Sequence, residues 1–195
     1  MVINCLGDNY FKIQSGNTVV LVDPTNARSL RGAQVVLSTI KPSSSVPDGD
    51  GLPGQGDFVW IDHQGEFEAS EVNVRGYSAG YDEKTNTERT IYKVLIDEIN
   101  LVLLGQIHKE PDKELEGNLR GADVLIVPVG KQYLSEEVAA KLVRRLEPAT
   151  VIVSSKDPSK FYKEFGKSKL ELEEKLVFKK KDLRPGTMEI KCLKS

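Results

Sequence analysis

This 195-residue sequence has few cysteines, no excess of basic over acidic charge and no long apolar run. Its two cysteines, Cys5 and Cys192, lie inside apolar segments, which disfavours a disulfide, a redox site and a cysteine metal site. The formal net charge is -2, so the chain has no general attraction to a phosphate backbone, and we expect no nucleic-acid partner. No stretch approaches the roughly 20 apolar residues of a membrane-spanning helix, and we expect no membrane association.

The composition predicts an ordinary globular protein, with 39% apolar and 29% charged residues. Met1 leads directly into a strand-like pattern, whereas a secretion signal would begin with a basic region and an apolar segment. We therefore expect a cytoplasmic protein that folds as a single domain over residues 1–195.

Strand-like segments separated by turn residues dominate the first part of the chain. The opening segments, at 2–6, 10–14 and 18–23, are divided by Gly-Asp-Asn and Ser-Gly-Asn, which predicts an antiparallel meander. The segment 41–56 is rich in proline, glycine and serine and is expected to be a long exposed loop. Further strands are predicted at 34–39, 57–62, 71–79, 89–97 and 100–105.

Helices are predicted only in the later part of the chain. Residues 135–147 begin with a serine that can cap a helix and continue with one apolar stripe. The β-branched runs at 123–130 and 150–155, on either side, are typical of strands buried on both faces of a sheet, so a crossover unit is predicted. A second helix is predicted at 158–177 and a last strand at 187–193.

Several segments of the chain carry sequence motifs in a characteristic order. The opening INCLGDNYFKIQSGNTVVLVDP (3–24) resembles the Leu-Gly-His-Ser-Ser-Phe-Lys-Ile opening, followed by an Asp-Pro, of small metal-dependent hydrolases with the metallo-β-lactamase fold. Similar segments follow in family order: GEFEASEVNVRGYSAGYD (65–82), LVLLGQIH (101–108) and ADVLIVPVGKQYLSEEVAAKLVRRLEPATVIVSS (122–155). The resemblance implies an α/β fold, an αββα sandwich in which helices flank two mixed β-sheets.

The same family holds one or two metal ions through a His-x-His-x-Asp-His signature that follows a buried strand. Imidazole nitrogen and carboxylate oxygen are donors that zinc accepts, and the bound water becomes a nucleophile near neutral pH. Aligned on this signature, the ligand positions of the present chain are Ile40, Pro42, Ser44 and Ser45. Three later positions, which the family fills with histidine, aspartate and histidine, are Tyr81, Gln106 and Ser155.

The side chains at these positions are poor zinc ligands. Isoleucine and proline have no lone pair to offer, a neutral serine hydroxyl binds zinc weakly, and the Gln106 amide lacks the charge of a bridging aspartate. A catalytic zinc needs about three protein ligands, so we expect neither a metal nor another cofactor. The resemblance therefore implies a pseudoenzyme that acts as a binding or scaffold protein for a protein or small-molecule partner.

Some polar groups near the inferred site leave other functions open. Asp8, Asp23, Asp82 and His108 could form a weak oxygen-rich site for magnesium or calcium. Simpler roles exist for them as well, because Asp8 lies in a turn and Asp23 resembles a family position that orients the ligand loop. These four residues and the seven ligand positions make up what we call the vestigial pocket.

A serine nucleophile activated by Lys41 is another alternative, since residues 43–45 are all serine. Such catalysis needs a rigid nucleophile, a desolvated base and oxyanion donors, which a Pro-Ser-rich loop does not offer. A residual hydrolase acting on an ester or phosphodiester, and a self-associating structural subunit, also remain open. The sequence leaves the oligomeric state undecided.

Overall fold

Two β-sheets pack face to face in the structure, a computed structural model that describes residues 1–25, 30–41, 58–168, 171–184 and 186–194. The first sheet has the spatial order β14-β1-β2-β3-β4-β6. Its strands are β1 (Val2–Cys5), β2 (Phe11–Ser15), β3 (Thr18–Val22), β4 (Val35–Leu37), β6 (Val59–Ile61) and β14 (Leu176–Val177). The opening meander, β1 to β3, is antiparallel as predicted.

The second sheet has the order β13-β15-β12-β11-β10-β9-β8-β7, and β5 pairs with β9 beside it. Its strands are β5 (Ile40–Lys41), β7 (Gly65–Ala69), β8 (Val72–Asp82), β9 (Thr87–Ile96), β10 (Ile99–Leu103), β11 (Val124–Pro128), β12 (Thr150–Ser154), β13 (Leu172–Glu173) and β15 (Glu189–Leu193). Strands β10, β11, β12 and β15 run parallel to one another, so their carboxyl ends meet at one edge of the sheet.

The α-helices of the described residues are α1 (Lys113–Leu119), α2 (Glu136–Leu146) and α3 (Ser159–Glu164), and a short 3-10 helix spans Lys180–Asp182. At the start of α2, the Ser135 side chain accepts a hydrogen bond from the Val138 backbone N–H at 3.4 Å. Leu142 and Val143 of α2 are fully buried against the outer face of the second sheet. Burying such a side chain stabilises the fold by roughly 1.5–3 kcal/mol, and α2 thus forms the predicted crossover between β11 and β12.

The main core lies between the two sheets, and β11 shows why it forms. All residues of β11 are buried, with Val124 and Ile126 facing the first sheet and Leu125 and Val127 facing the helices. A smaller apolar cluster around Val36 covers the other face of the first sheet. No helix within the described ranges is long and apolar enough to cross a membrane.

The predicted helix at 158–177 is wrong beyond Glu164. The chain turns at Gly166, whose φ of 68° is left-handed, and the Lys167 N–H bonds back to the Tyr162 carbonyl at 3.0 Å. Strands β13 (Leu172–Glu173) and β14 (Leu176–Val177) lie further along that segment. The short elements α1, β5 and β7 had not been predicted as such, and the expected loop at 41–56 lies, apart from Lys41, outside the described residues.

Candidate functional site

The ends of three strands from both sheets converge on Asp23. Asp23 follows β3, Thr39 lies just beyond β4, and Gln106 lies just beyond β10 of the other sheet. The Asp23 backbone N–H donates to the Leu37 carbonyl at 2.8 Å, which fixes the aspartate beside the end of β4. The strand register therefore brings together two residues that the sequence analysis assigned to the vestigial pocket, Asp23 and Gln106.

The Asp23 carboxylate accepts hydrogen bonds from the side chains or backbone of three residues. Its Oδ1 accepts from the Thr39 N–H at 2.7 Å. Its Oδ2 accepts from the Thr39 hydroxyl at 2.5 Å, the Asn9 amide at 2.5 Å and the Gln106 amide at 3.2 Å. We call Asn9, Asp23, Thr39 and Gln106 the Asp23 cluster.

The cluster is held inside the protein. Thr39 is fully buried and Asn9 is nearly so. Residue Asp23 keeps some contact with solvent, but protein atoms surround its carboxyl group, and this burial raises the pKa of Asp23 above its ordinary value of 3.8. The hydrogen bonds from Thr39, Asn9 and Gln106 favour the charged form and oppose that shift without cancelling it.

Gly105 lets Thr39 reach the cluster. Its φ of 62° lies in the left-handed region, and a Cβ atom built on it would come within 2.5 Å of the Thr39 Cβ. Glycine thus allows the end of β10 to approach the end of β4, and the Gln106 backbone N–H lies 3.3 Å from the Thr39 hydroxyl oxygen.

The chemistry of this cluster does not fit a metal ion. A metal ion needs lone pairs directed at it, whereas here N–H and O–H groups are directed at the carboxylate that would serve as a ligand. Gln106, which the sequence alignment sets at the family's bridging aspartate, presents its NH₂ group to Asp23. The whole sequence contains two histidines, and no group of three or more His, Cys, Asp or Glu residues that could hold a metal occurs among the described residues.

The first position of the ligand motif belongs to a strand. Ile40 and Lys41 form β5 and pair with Arg89 and Glu88 of β9, while the Thr90 N–H donates to the Thr39 carbonyl at 2.9 Å. The chain therefore passes from the first sheet to the second between β4 and β5. The other positions of the motif, Pro42, Ser44 and Ser45, lie outside the described residues.

A buried arginine lies beside the Asp23 cluster. Arg89 donates to the Gln106 carbonyl at 2.8 Å, and its guanidinium lies 3.8 Å from the Asp82 carboxylate. Asp82 also accepts a hydrogen bond from the Lys84 N–H at 3.0 Å, which is the main reason that its pKa is lowered. His108 is exposed, and partial desolvation and the charge of Arg89 both lower its pKa.

Tyr81 points away from this region, because its hydroxyl donates to Asn86 at 2.5 Å within the hairpin between β8 and β9. Asp8, Asp23, Asp82 and His108, the candidates for a weak divalent site, do not form a ligand group in the described part of the chain. Asp23 and Asp82 already have other partners.

A cleft of about 500 Å³ opens beside the cluster, at the carboxyl ends of β11 and β12. Asp8 and Ser155 of the vestigial pocket line it, together with the segments 129–133 and 154–157. The Ser154 hydroxyl donates to the Asp8 carbonyl, and the Ser155 hydroxyl oxygen accepts the Asp157 N–H at 3.3 Å. The half-buried Tyr133 lies between cleft and cluster, and its pKa is raised by desolvation and by the charges of Asp8 and Asp23.

Sequence reasoning did not single out Asn9, Thr39, Arg89 or Tyr133 as site residues. Thr39 follows a buried strand directly, and that position is a signal that could have identified it. Arg89 could not be identified in this way, because it lies within β9 and reaches the site only through the pairing with β5.

Comparison with known proteins supports the resemblance. The sequence model of the beta-lactamase superfamily domain matches residues 2–154, which is more than half of the chain. No curated protein has a sequence that matches this chain.

Solved structures of this superfamily share the fold at low sequence identity. A candidate zinc-dependent hydrolase from Thermotoga maritima is 18% identical with a TM-score of 0.78, and the match covers 98% of this chain and 97% of that one. The metallo-beta-lactamase fold protein YhfI from Bacillus subtilis is 10% identical with a TM-score of 0.69. The match covers 100% of this chain and 97% of that one. An isothiocyanate hydrolase from Delia radicum gut bacteria is 11% identical with a TM-score of 0.68, covering 92% and 100%. These likenesses confirm the predicted fold and concern the fold alone.

Proposed function

Since the chain belongs to the beta-lactamase superfamily domain family, we propose that it is a metal-free, noncatalytic member that acts as a binding protein. Its ligand or partner would contact the vestigial pocket and the cleft beside it. The solved relatives named above include proteins described as hydrolases, so the proposal concerns a change of function on a shared fold.

The observation that carries the proposal is that hydrogen-bond donors of the protein surround the Asp23 carboxylate. Its Oδ2 alone accepts hydrogen bonds from Thr39, Asn9 and Gln106. A metal ion that bound Asp23 would displace these donors, and each buried donor left without a partner costs about 1–3 kcal/mol. The amide groups of Asn9 and Gln106 could rotate to present oxygen, but neutral carbonyl oxygen suits magnesium or calcium better than zinc.

Lys41 gives little support to the alternative of a serine hydrolase. Its ammonium group lies 3.4 Å from the Asp62 carboxylate, and 47% of its side chain is exposed. A lysine that serves as a general base has to be desolvated, whereas this side chain is solvated and lies beside a carboxylate. The serines at 43–45 lie outside the described residues.

The proposal is tested on untagged protein purified without chelator. Elemental analysis should find well under one zinc, iron or manganese per chain, and zinc or EDTA should leave the thermal unfolding temperature unchanged. Phosphodiester, lactone and simple ester substrates should not be hydrolysed above the buffer rate. A stoichiometric metal that raises the unfolding temperature, or turnover abolished by EDTA, would contradict the proposal.

A matched pair of variants separates a true site from adventitious metal. His108→Ala removes the one histidine of the vestigial pocket, and His63→Ala removes an exposed histidine that pairs with Asp62 at 2.8 Å. If neither variant changes the metal content, any trace metal is nonspecific. Loss of a bound metal in His108→Ala alone would instead support a residual metal-dependent hydrolase.

A further inference from the structure

The cleft beside the Asp23 cluster has an apolar floor and a charged rim. Cys5, Val129 and Leu193 line the floor and are buried. The formal charge of the rim is zero, because three acids and three lysines line it: Asp8, Lys131, Glu136, Lys156, Asp157 and Lys160. A cleft of about 500 Å³ lies within the range of small-molecule sites. A ligand without net charge therefore leaves the cleft neutral.

Four of the rim charges offset one another within the cleft. The Asp8 carboxylate lies 3.9 Å from the Lys156 ammonium. Asp157 accepts the Ser159 N–H at 3.1 Å, and the hydrogen bonds to Ser159, followed by the charge of Lys160, lower the pKa of Asp157. Asp157 is therefore ionised at neutral pH, and its negative charge balances the positive charge of Lys160.

The other two rim charges, those of Lys131 and Glu136, have no such partner. Among the described residues, neither side chain forms an ion pair. Lys131 is exposed, whereas Glu136 is half-buried at the first residue of α2, where the helix dipole favours its negative charge. The cleft thus offers a ligand one unpaired cation and one unpaired anion.

The charges of these two side chains decide which class of ligand can cover them. A ligand that lies over both removes water from an ammonium and from a carboxylate group. An uncharged ligand would leave both charges without compensation, and a singly charged ligand would leave one of them so, which is unfavourable in either case. A ligand that carries one ammonium and one carboxylate group compensates both charges.

We infer that the cleft binds a small zwitterion with an apolar side chain, its carboxylate at Lys131 and its ammonium at Glu136. The apolar side chain of the ligand lies against Cys5, Val129 and Leu193. This inference rests on the proposed binding function and specifies its ligand class. A free amino acid and a dipeptide share this chemistry and differ in the distance between their two charges.

The test compares phenyl compounds that differ in charge. Two are zwitterions, L-phenylalanine and L-phenylalanylglycine, and the others are 3-phenylpropionate, phenethylamine and the neutral 3-phenylpropanamide. Chemical shifts of the cleft residues in the full chain follow their binding at neutral pH. At least one zwitterion should bind about fivefold tighter than each of the other three compounds, since one exposed ion pair contributes up to that much. Comparing the amino acid with the dipeptide identifies the preferred charge separation.

Two variants assign the charges of the ligand to the two side chains. In Lys131→Gln, the zwitterion should lose its advantage over phenethylamine, because its carboxylate has no partner. In Glu136→Gln, it should lose its advantage over 3-phenylpropionate, because its ammonium has none. A change in the shape of the cleft would weaken all the compounds alike. Lys181→Gln is the matched control, because this exposed lysine neighbours Lys180, which pairs with Asp123 at the amino end of β11, opposite the cleft.

Each outcome decides the inference separately from the proposed function. Binding of 3-phenylpropionate, phenethylamine or the amide that equals or exceeds binding of both zwitterions would overturn the zwitterion assignment. Zwitterion binding that Lys131→Gln and Glu136→Gln leave unchanged, or cleft resonances that none of the probes shifts at millimolar concentration, would also overturn it. The metal content and hydrolysis assays described above judge the proposed function independently.

Discussion

The Asp23 cluster and the neighbouring cleft each contain one residue that the sequence alignment sets at a ligand position of the family, and the two residues behave in opposite ways. In the cluster, Gln106 turns its amide inward and completes the hydrogen bonding of a buried carboxylate. In the cleft, the Ser155 oxygen accepts a hydrogen bond and its hydroxyl proton stays available. Both residues follow a parallel strand of the same sheet, so the difference lies in their surroundings and not in the fold.

The comparison shows that the neighbouring groups decide what an aligned ligand position does, because Gln106 and Ser155 are both partly buried. Gln106 lies against the Asp23 carboxylate and the fully buried Thr39, where polar groups have to be paired within the protein. Ser155 is only half-buried and borders an open cleft, where water or a ligand can serve as its partner. The cluster is therefore expected to matter for stability, and the cleft for binding.

The largest expected effect comes from Asp23→Ala, which removes the acceptor for all the donors of the cluster. Thr39, Asn9 and Gln106 would keep buried donors without a partner, and we expect a loss of about 3 kcal/mol in the free energy of unfolding. Urea denaturation measures it. Glu83→Ala, at an exposed carboxylate between β8 and β9, is the control and should cost less than about 0.5 kcal/mol. Equal losses in the two variants would show that the Asp23 cluster has no special role in stability.

Gln106→Asp tests whether the cluster can return to a metal site. The new carboxylate would lie beside that of Asp23, where the amide nitrogen is now 3.2 Å from Oδ2. Repulsion between like charges should cost about 2 kcal/mol at pH 7 and raise the pKa of the pair, so the loss should shrink as the pH is lowered through that raised value. Zinc should not restore the stability. Gln132→Asp, on the exposed rim of the cleft, is the control that should leave stability unchanged.

The pH dependence of Asp23→Asn follows from the raised pKa of the aspartate. Because the pKa is higher in the folded state than its ordinary value of 3.8, the protonated form stabilises the fold, and this contribution is complete below 3.8. It is lost as the pH rises through the folded-state pKa. The unfolding free energy of the wild type minus that of Asp23→Asn should therefore rise from pH 7 towards pH 4. A fall in this difference would mean that the hydrogen bonds to the carboxylate outweigh its desolvation.

The smallest effect on stability is expected in the cleft. Lys131→Gln/Lys160→Gln should change the free energy of unfolding by less than about 0.5 kcal/mol, because these rim lysines have no ion pair among the described residues. A large loss of stability would show that these lysines stabilise the fold. The cleft would then contribute to stability as the Asp23 cluster does.

The predictable part of the structure is the part that local pattern determines. Strand β11 and helix α2 follow from a buried β-branched run and from the Ser135 cap. The end of α3 was missed because Gly166 was not recognised as a stop in a segment with helical composition. Short strands such as β5 depend on a partner far along the chain, and two residues carry too little pattern to indicate them.

The candidate site was predictable in place but not in detail. The motif alignment identified position 106, and residue type alone argues against a zinc ligand there. The direction in which its amide points depends on Asp23 and Asn9, which belong to the other sheet. The pairing of charges around Lys131 and Lys160 likewise depends on the three-dimensional arrangement of loops, which no sequence spacing reveals.

The passage of one segment from β4 to β5 has a consequence for how the molecule unfolds. Within a few residues the chain pairs with β3 and then with β9, and the Tyr92 hydroxyl of β9 lies 3.0 Å from the Ser38 carbonyl at the crossing. Neither β-sheet can separate from the other without breaking these hydrogen bonds. Both sheets should therefore unfold in one cooperative step. The amide protons of Thr39 and Thr90, donated to Asp23 and to Thr39, should consequently exchange with solvent as slowly as those of the central strands.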